Sequence, residues 1–196
     1  MNNTMKIYIL LSNPNTIVAK MIGLYTKAPF NHASISFDHE LREVYSFGRK
    51  HPLIPIIGGF VKEDVRCGVF KKASCAVYSR TVSKDTYLHM RSFVQQMEAH
   101  GELYNYNFLG ILGIILNMEM GGERSYFCSQ FVSQVFQEGG VKLLDKSAGL
   151  TTPADFSTCA SLKLEFSGSL EVYRKMHRYS ALSQSVFEPN HFFVAN

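Results

Sequence analysis

The stretch Ser125-Tyr126-Phe127-Cys128-Ser129-Gln130-Phe131-Val132-Ser133-Gln134-Val135-Phe136 reads as the start of an amphipathic helix with a cysteine near its beginning. Phe127, Phe131, Val135 and Phe136 recur at helical spacing, whereas Ser129, Ser133, Gln134 and Gln137 fall largely on the other side. Ser125 is the expected N-cap. It places Cys128 in the first turn, where unpaired backbone N–H groups and the helix dipole favour a thiolate. A small cysteine packed on a core face would satisfy the same pattern. The rest of the chain has to decide between nucleophile and packing residue.

At 196 residues, the chain is long enough for one domain with a substantial core. A hydrophobic content of 46% against 18% charged residues excludes a disordered chain. The net charge of +4 comes from scattered Lys and Arg, with only short pairs such as Lys71-Lys72. Nucleic-acid binding needs a clustered patch or stripe, so no nucleic-acid partner is expected. Cys67, Cys75, Cys128 and Cys159 show neither CxxC nor Cys/His metal spacing, so thiols are expected and neither metal nor cofactor. The N-terminus lacks a charged region ahead of its apolar run, and Phe108–Leu116 is too short to span a bilayer. A cytoplasmic protein without a transmembrane segment is the expectation.

Moving outward from the cysteine, Gly139-Gly140 ends its helix and Gly121-Gly122 breaks the chain ahead of it. Phe108–Leu116 predicts an apolar helix buried on most sides, with Met118 and Met120 as an adaptable fringe. Ser83 caps a helix through Met97. Lys6–Ser12, Ala33–Phe37 and Glu43–Phe47 read as strands, the last two joined by a hairpin around His39-Glu40. Gly48–Gly59 reads as a loop with a Gly58-Gly59-Phe60 turn or flap. Asp64–Phe70 and Cys75–Val82 read as a strand pair, 17–25 as a helix, and Thr152-Pro153-Ala154-Asp155 as a capped helix start. Leu170–Tyr173 predicts an edge strand, and the tail after Tyr179 is less regular. Strands and helices without a dividing linker give an α+β fold in a single domain, 1–196, with a core at about 5–160 and an extension at 161–196.

A thiol hydrolase needs a base, a group that orients the base, and donors for the oxyanion. Six of the seven histidines fall in turns, loops, a surface-looking helix or the tail. His32 instead opens a strand and shares the parity of Ser34 and Ser36, opposite Ala33, Ile35 and Phe37. If the Cys128 helix packs on that polar face, imidazole and thiol meet.

Asn31-His32-Ala33-Ser34-Ile35-Ser36-Phe37, then Tyr45-Ser46-Phe47-Gly48, then Tyr104-Asn105, then Tyr126-Phe127-Cys128-Ser129-Gln130-Phe131-Val132, followed by Thr152–Phe156, form one ordered series. It resembles the circularly permuted NlpC-type branch of papain-like enzymes, which includes bacterial YiiX- and YycO-like proteins and is distantly related to lecithin:retinol acyltransferase. In that branch the His strand precedes the Cys helix. The resemblance covers roughly residues 5–160 and implies a papain-like fold, a small antiparallel sheet packed against helices. It makes Cys128 the nucleophile and His32 its base, with Tyr104, Asn31 and Ser129 at the substrate.

The family's third polar residue, commonly Glu or His, sits on the strand after the histidine. Here that strand reads Glu43-Val44-Tyr45-Ser46-Phe47, and the hairpin places Glu43 several residues away from His32. Ser46 and Tyr45 are the candidates to orient His32. The expected activity is hydrolysis of an amide in a small peptide-like substrate, through an acyl-enzyme on Cys128. A lipid acyltransferase or thioesterase on the same fold is the first alternative. A non-catalytic binding module with a degraded triad is the second.

Overall fold

The computed structural model describes residues 3–14, 28–49 and 58–177. Period-two alternation over Ile7, Ile9 and Leu11 drives the central strand β1 (Thr4–Asn13), all three side chains being fully buried. Around it form β2 (His32–Ser36), β3 (Val44–Arg49), β4 (Gly58–Glu63), β5 (Ser74–Ser83) and β8 (Lys163–Ser169). These six make one antiparallel sheet in the order β4-β3-β2-β1-β5-β8. Two short strands, β6 (Asn105–Tyr106) and β7 (Ser125–Tyr126), pair in parallel beside it. With the helices, the architecture is α+β.

One face of the sheet carries the larger core. Helix α1 (Lys84–Ala99) is capped by the Ser83 hydroxyl, which accepts from the Thr86 N–H, and it buries Tyr87, Met90, Val94 and Met97. Helix α3 (Cys128–Glu138) buries Phe131, Val132, Val135 and Phe136 in the same cluster as Ile9, Ala33, Ile35 and Phe47. A smaller cluster on the opposite face joins Leu10, Leu41, Val44, Val65, Phe70, Cys75, Val77, Leu170 and Tyr173. Layers therefore cover both faces of the sheet.

Several expectations are corrected. Gly58–Glu63 is a strand, paired with β3 from Val44↔Glu63 to Arg49↔Gly58, where the sequence pattern placed loop and turn. The stretch expected as a strand at 64–70 is instead a turn followed by a short 3₁₀ helix, Gly68–Phe70, with Gly68 at φ +57°. The last strand is Lys163–Ser169, and residues 170–177 are helical, because Leu170 and Tyr173 sit at helical spacing over the second core. Ser125 belongs to β7, and the N-cap of α3 is Phe127, whose N–H donates to Gln130 Oε1 at 3.3 Å.

The greatest departure is α2 (Phe108–Leu116). Its only buried residues are Gly110 and Gly113, while Leu109, Leu112, Ile115 and Leu116 are exposed. The helix presents its glycine face inward because a Cβ at Gly110 would collide with Asn107 and Phe127, and one at Gly113 with the Met118 carbonyl. The helix expected at 17–25 and the tail after Tyr179 lie outside the described residues.

Candidate active site

His32 begins β2 on the same face as Ser34 and Ser36, as strand parity requires. Helix α3 docks on the other face, against Ala33 and Ile35, which corrects the expectation that it covers the polar one. The thiol nonetheless reaches the imidazole. Strands β2 and β3 are paired only at Ile35↔Tyr45 and Ser36↔Val44, and separate towards His32. At that opening Cys128, the first residue of α3, lies beside His32, near enough for the two to shift each other's titration, with the backbone N–H groups of Ala33 and Ser129 favouring its anion.

Behind the imidazole lies a carboxylate. His32 Nε2 stands 2.7 Å from Glu63 Oε1, so the other ring nitrogen, Nδ1, is the one left for the thiol. Ser46 Oγ donates to the same oxygen at 2.7 Å, and Ser34 Oγ donates to Glu63 Oε2 at 2.6 Å. The side chains of His32 and Glu63 retain only 13% and 7% of their exposure. Three donors on one buried carboxylate hold it in a single orientation, and through it the ring.

The electrostatics follow from this packing. Burial pushes the Glu63 carboxyl up, yet the His32 charge and the hydrogen bonds from His32, Ser34 and Ser46 outweigh it and hold Glu63 below its ordinary value. Burial alone would lower His32, but Glu63 and Cys128 raise it well above 6.5. Burial would raise the Cys128 thiol, whereas the His32 contact and the two backbone donors bring it below 9.0. The two directions agree: each group favours the charged form of the other. Cys75 lacks such partners, and burial drives its thiol up to about 12.

Of the residues expected at the site, Cys128 and His32 are brought together. Ser46 reaches His32 only through Glu63. Tyr45 does not reach it, because neighbouring strand residues face opposite ways: its ring packs in the larger core and its hydroxyl donates to Glu98 Oε2 at 3.1 Å. Glu43 is taken by Arg91 at 2.8 Å. Ser129 is buried and donates to the Thr151 carbonyl at 2.7 Å, fastening α3 to the segment before α4 (Pro153–Ser157). Tyr104 packs against Phe47 and Tyr126 in the larger core. Asn31 Nδ2 donates to Asn13 Oδ1 at 3.1 Å, bridging β1 and β2 next to His32.

Glu63 was the residue missed. A sequence signal existed in Gly59, Val61 and Glu63, which share a parity; extending the strand across Phe60-Val61-Lys62 would have brought its end to the third member's place. Among the described residues, no group of three or more His, Cys, Asp or Glu side chains is placed to hold a metal ion, and no helix is long and apolar enough to cross a membrane. No family model matches the chain, and no curated protein matches it.

Proposed function

We propose that this chain is a papain-like cysteine hydrolase of the permuted NlpC type that cleaves an amide bond in a small peptide-like substrate, with a cytoplasmic location. The observation that carries this reading is the relay from Glu63 to His32 to Cys128, with the sulfur at the first position of a helix. The Cys128 thiolate attacks the carbonyl carbon, and negative charge develops on the carbonyl oxygen. The Cys128 backbone N–H, which has no intrahelical acceptor at that position, is the natural donor to it. His32 gives its proton to the leaving amine as the C–N bond breaks, leaving a thioester. Water then attacks the thioester while His32 takes its proton, and the acid departs as the Cys128 thiolate and His32 imidazolium are restored. Glu63 stabilises the imidazolium throughout without itself being protonated.

The test is alkylation of Cys128 by iodoacetamide across pH, mapped by mass spectrometry, alongside hydrolysis of peptide amides. The expected result is a thiol that reacts far faster than a free cysteine near pH 7 and loses this advantage in His32→Ala. A Cys128 no more reactive than a free thiol near pH 7, unchanged by His32→Ala, would overturn the reading.

One observation favours the lipid acyltransferase or thioesterase alternative. The exposed aliphatic side chains of α2 stand on a helix whose cap, Asn107, donates to Gln130 Oε1 at 3.2 Å on the nucleophile helix. Acyl esters offered in parallel with amides separate the two, by the mass of the group left on Cys128 and by whether it passes to water or to an alcohol. The binding-module alternative rested on a weak third residue, and Glu63 fills that position.

A further inference from the structure

Lys71 and Lys72 follow the 3₁₀ turn at Gly68–Phe70 and line a groove with Pro14, Gly68, Val69 and Ala73. The groove is open to solvent and offers about 360 Å³. Among the described residues, neither lysine has a carboxylate within ion-pair distance. Glu171, whose charge Lys71 and Arg174 feel only weakly, is held by Lys175 at 2.7 Å. Both lysines are exposed at the groove's wall, so an anion entering it meets two positive side chains.

The position of the groove links it to the thiol centre. The ring of Phe70, in the same turn, lies 6.2 Å from the His32 ring, centroid to centroid. Pro14 directly follows β1, whose Ser12 is the register partner of His32. The groove therefore lies at the same edge of the sheet as His32, with the buried Phe70 ring between them.

We infer that this groove is a subsite for an anionic group of the substrate, a carboxylate or a phosphate, with Lys71 and Lys72 as its counter-charges. Its service to catalysis rests on the hydrolase reading above; its ability to hold an anion does not.

Two measurements keep those apart. In the first, inorganic phosphate and acetate are titrated separately into the full chain, into Cys128→Ala and into Lys71→Ala/Lys72→Ala, following backbone amide shifts at 68–73 by NMR. Saturable shifts in the first two proteins and their loss in the double variant are expected, and the tighter of the two anions identifies the preferred group. Absence of saturation with both anions, or saturation surviving in the double variant, overturns the subsite. In the second, Cys128 is alkylated with chloroacetyl-glycylglycine and with its C-terminal amide. The carboxylate probe is expected to react at least about fivefold faster, with the ratio falling towards one in the double variant while the amide rate holds. An unchanged ratio overturns the link to catalysis. Saturable phosphate shifts without any fast alkylation of Cys128 break the hydrolase reading alone.

Discussion

Beneath β2–β4 a carboxylate, an imidazole and two hydroxyls are shut away from water, while on α2 Leu109, Leu112, Ile115 and Leu116 keep 45–58% of their surface in it. Both depart from the usual partition of polar and apolar side chains, and both touch the Cys128 helix. They differ in what holds them. Each oxygen of Glu63 has a donor, so the buried charge is tolerated only while all partners stay. The aliphatic side chains of α2 are largely in solvent, and their helix is fixed by its glycine face and its Asn107 cap. Sensitivity to substitution therefore runs opposite to apparent oddness: high at the satisfied network, low at the exposed patch.

The sharpest break in that contrast comes from Glu63. Glu63→Ala leaves the His32 cation, Ser34 and Ser46 without their acceptor, and is expected to cost about 3–5 kcal/mol in urea unfolding. Glu63→Gln keeps the shape but removes the charge that supports the imidazolium. Hydrolysis is expected to fall by roughly 10³-fold, as when a charged orienting acid becomes an amide. A Glu63→Gln protein with unaltered alkylation at Cys128 would show that the carboxylate does not govern the thiol.

Next in size are the two faces of α2. Gly113→Ala drives a methyl into the Met118 carbonyl and Met120, and is expected to cost about 1–3 kcal/mol. Leu112→Gln on the exposed face is expected to stay within about 0.5 kcal/mol by the same unfolding measurement. Equal losses at the two positions would mean that the outer face is as closely packed in solution as the glycine face.

The same contrast explains what the sequence allowed. Alternation around Ile7, Ile9, Leu11, Ala33 and Ile35 identifies the central strands because one face of each is wholly buried. His32 and Cys128 stand at element starts, where local patterning is clear. Glu63 ends a strand after a run whose glycines and neighbouring prolines resemble a loop, and its partner is 31 residues away. Long-range pairing of that kind leaves no local mark. Helix α2 departs from its pattern for the converse reason: apolar content predicts burial, but two glycines set which side faces in.

The buried network also has a pH signature. Glu63 is held below its ordinary 4.5, so its contribution is fully present above 4.5 and is lost as pH falls through its folded value. His32 is raised above 6.5, so its contribution is full below 6.5 and is lost as pH rises through its folded value. The stability difference between the native chain and Glu63→Gln is expected to be greatest between pH 4.5 and 6.5 and to shrink on either side. Glu165 adds a separate acid loss, since Ser79 and Lys6 hold it at about 2. It lies outside the network, so its loss is common to both proteins and cancels in the difference. Leu112→Gln should show no pH-dependent difference from the native chain at all, and a matched series of urea midpoints tests both statements.

The smallest expected effect separates two adjacent residues of β3. Ser46 donates to Glu63, whereas Tyr45 faces the other way and donates to Glu98, a residue with 37% of its side chain exposed. Tyr45→Phe keeps the ring in the core and removes one hydrogen bond near solvent, so a loss of about 0.5 kcal/mol is expected, with Cys128 alkylation unchanged. Ser46→Ala removes one of the donors on a buried carboxylate, and its effect should appear in the pH profile of alkylation even if the unfolding midpoint moves little. A change in that profile from Tyr45→Phe and not from Ser46→Ala would mean that the tyrosine reaches the imidazole after all. Strand parity would then fail at β3, and with it the reason for assigning Glu63 to the imidazole's side of the sheet.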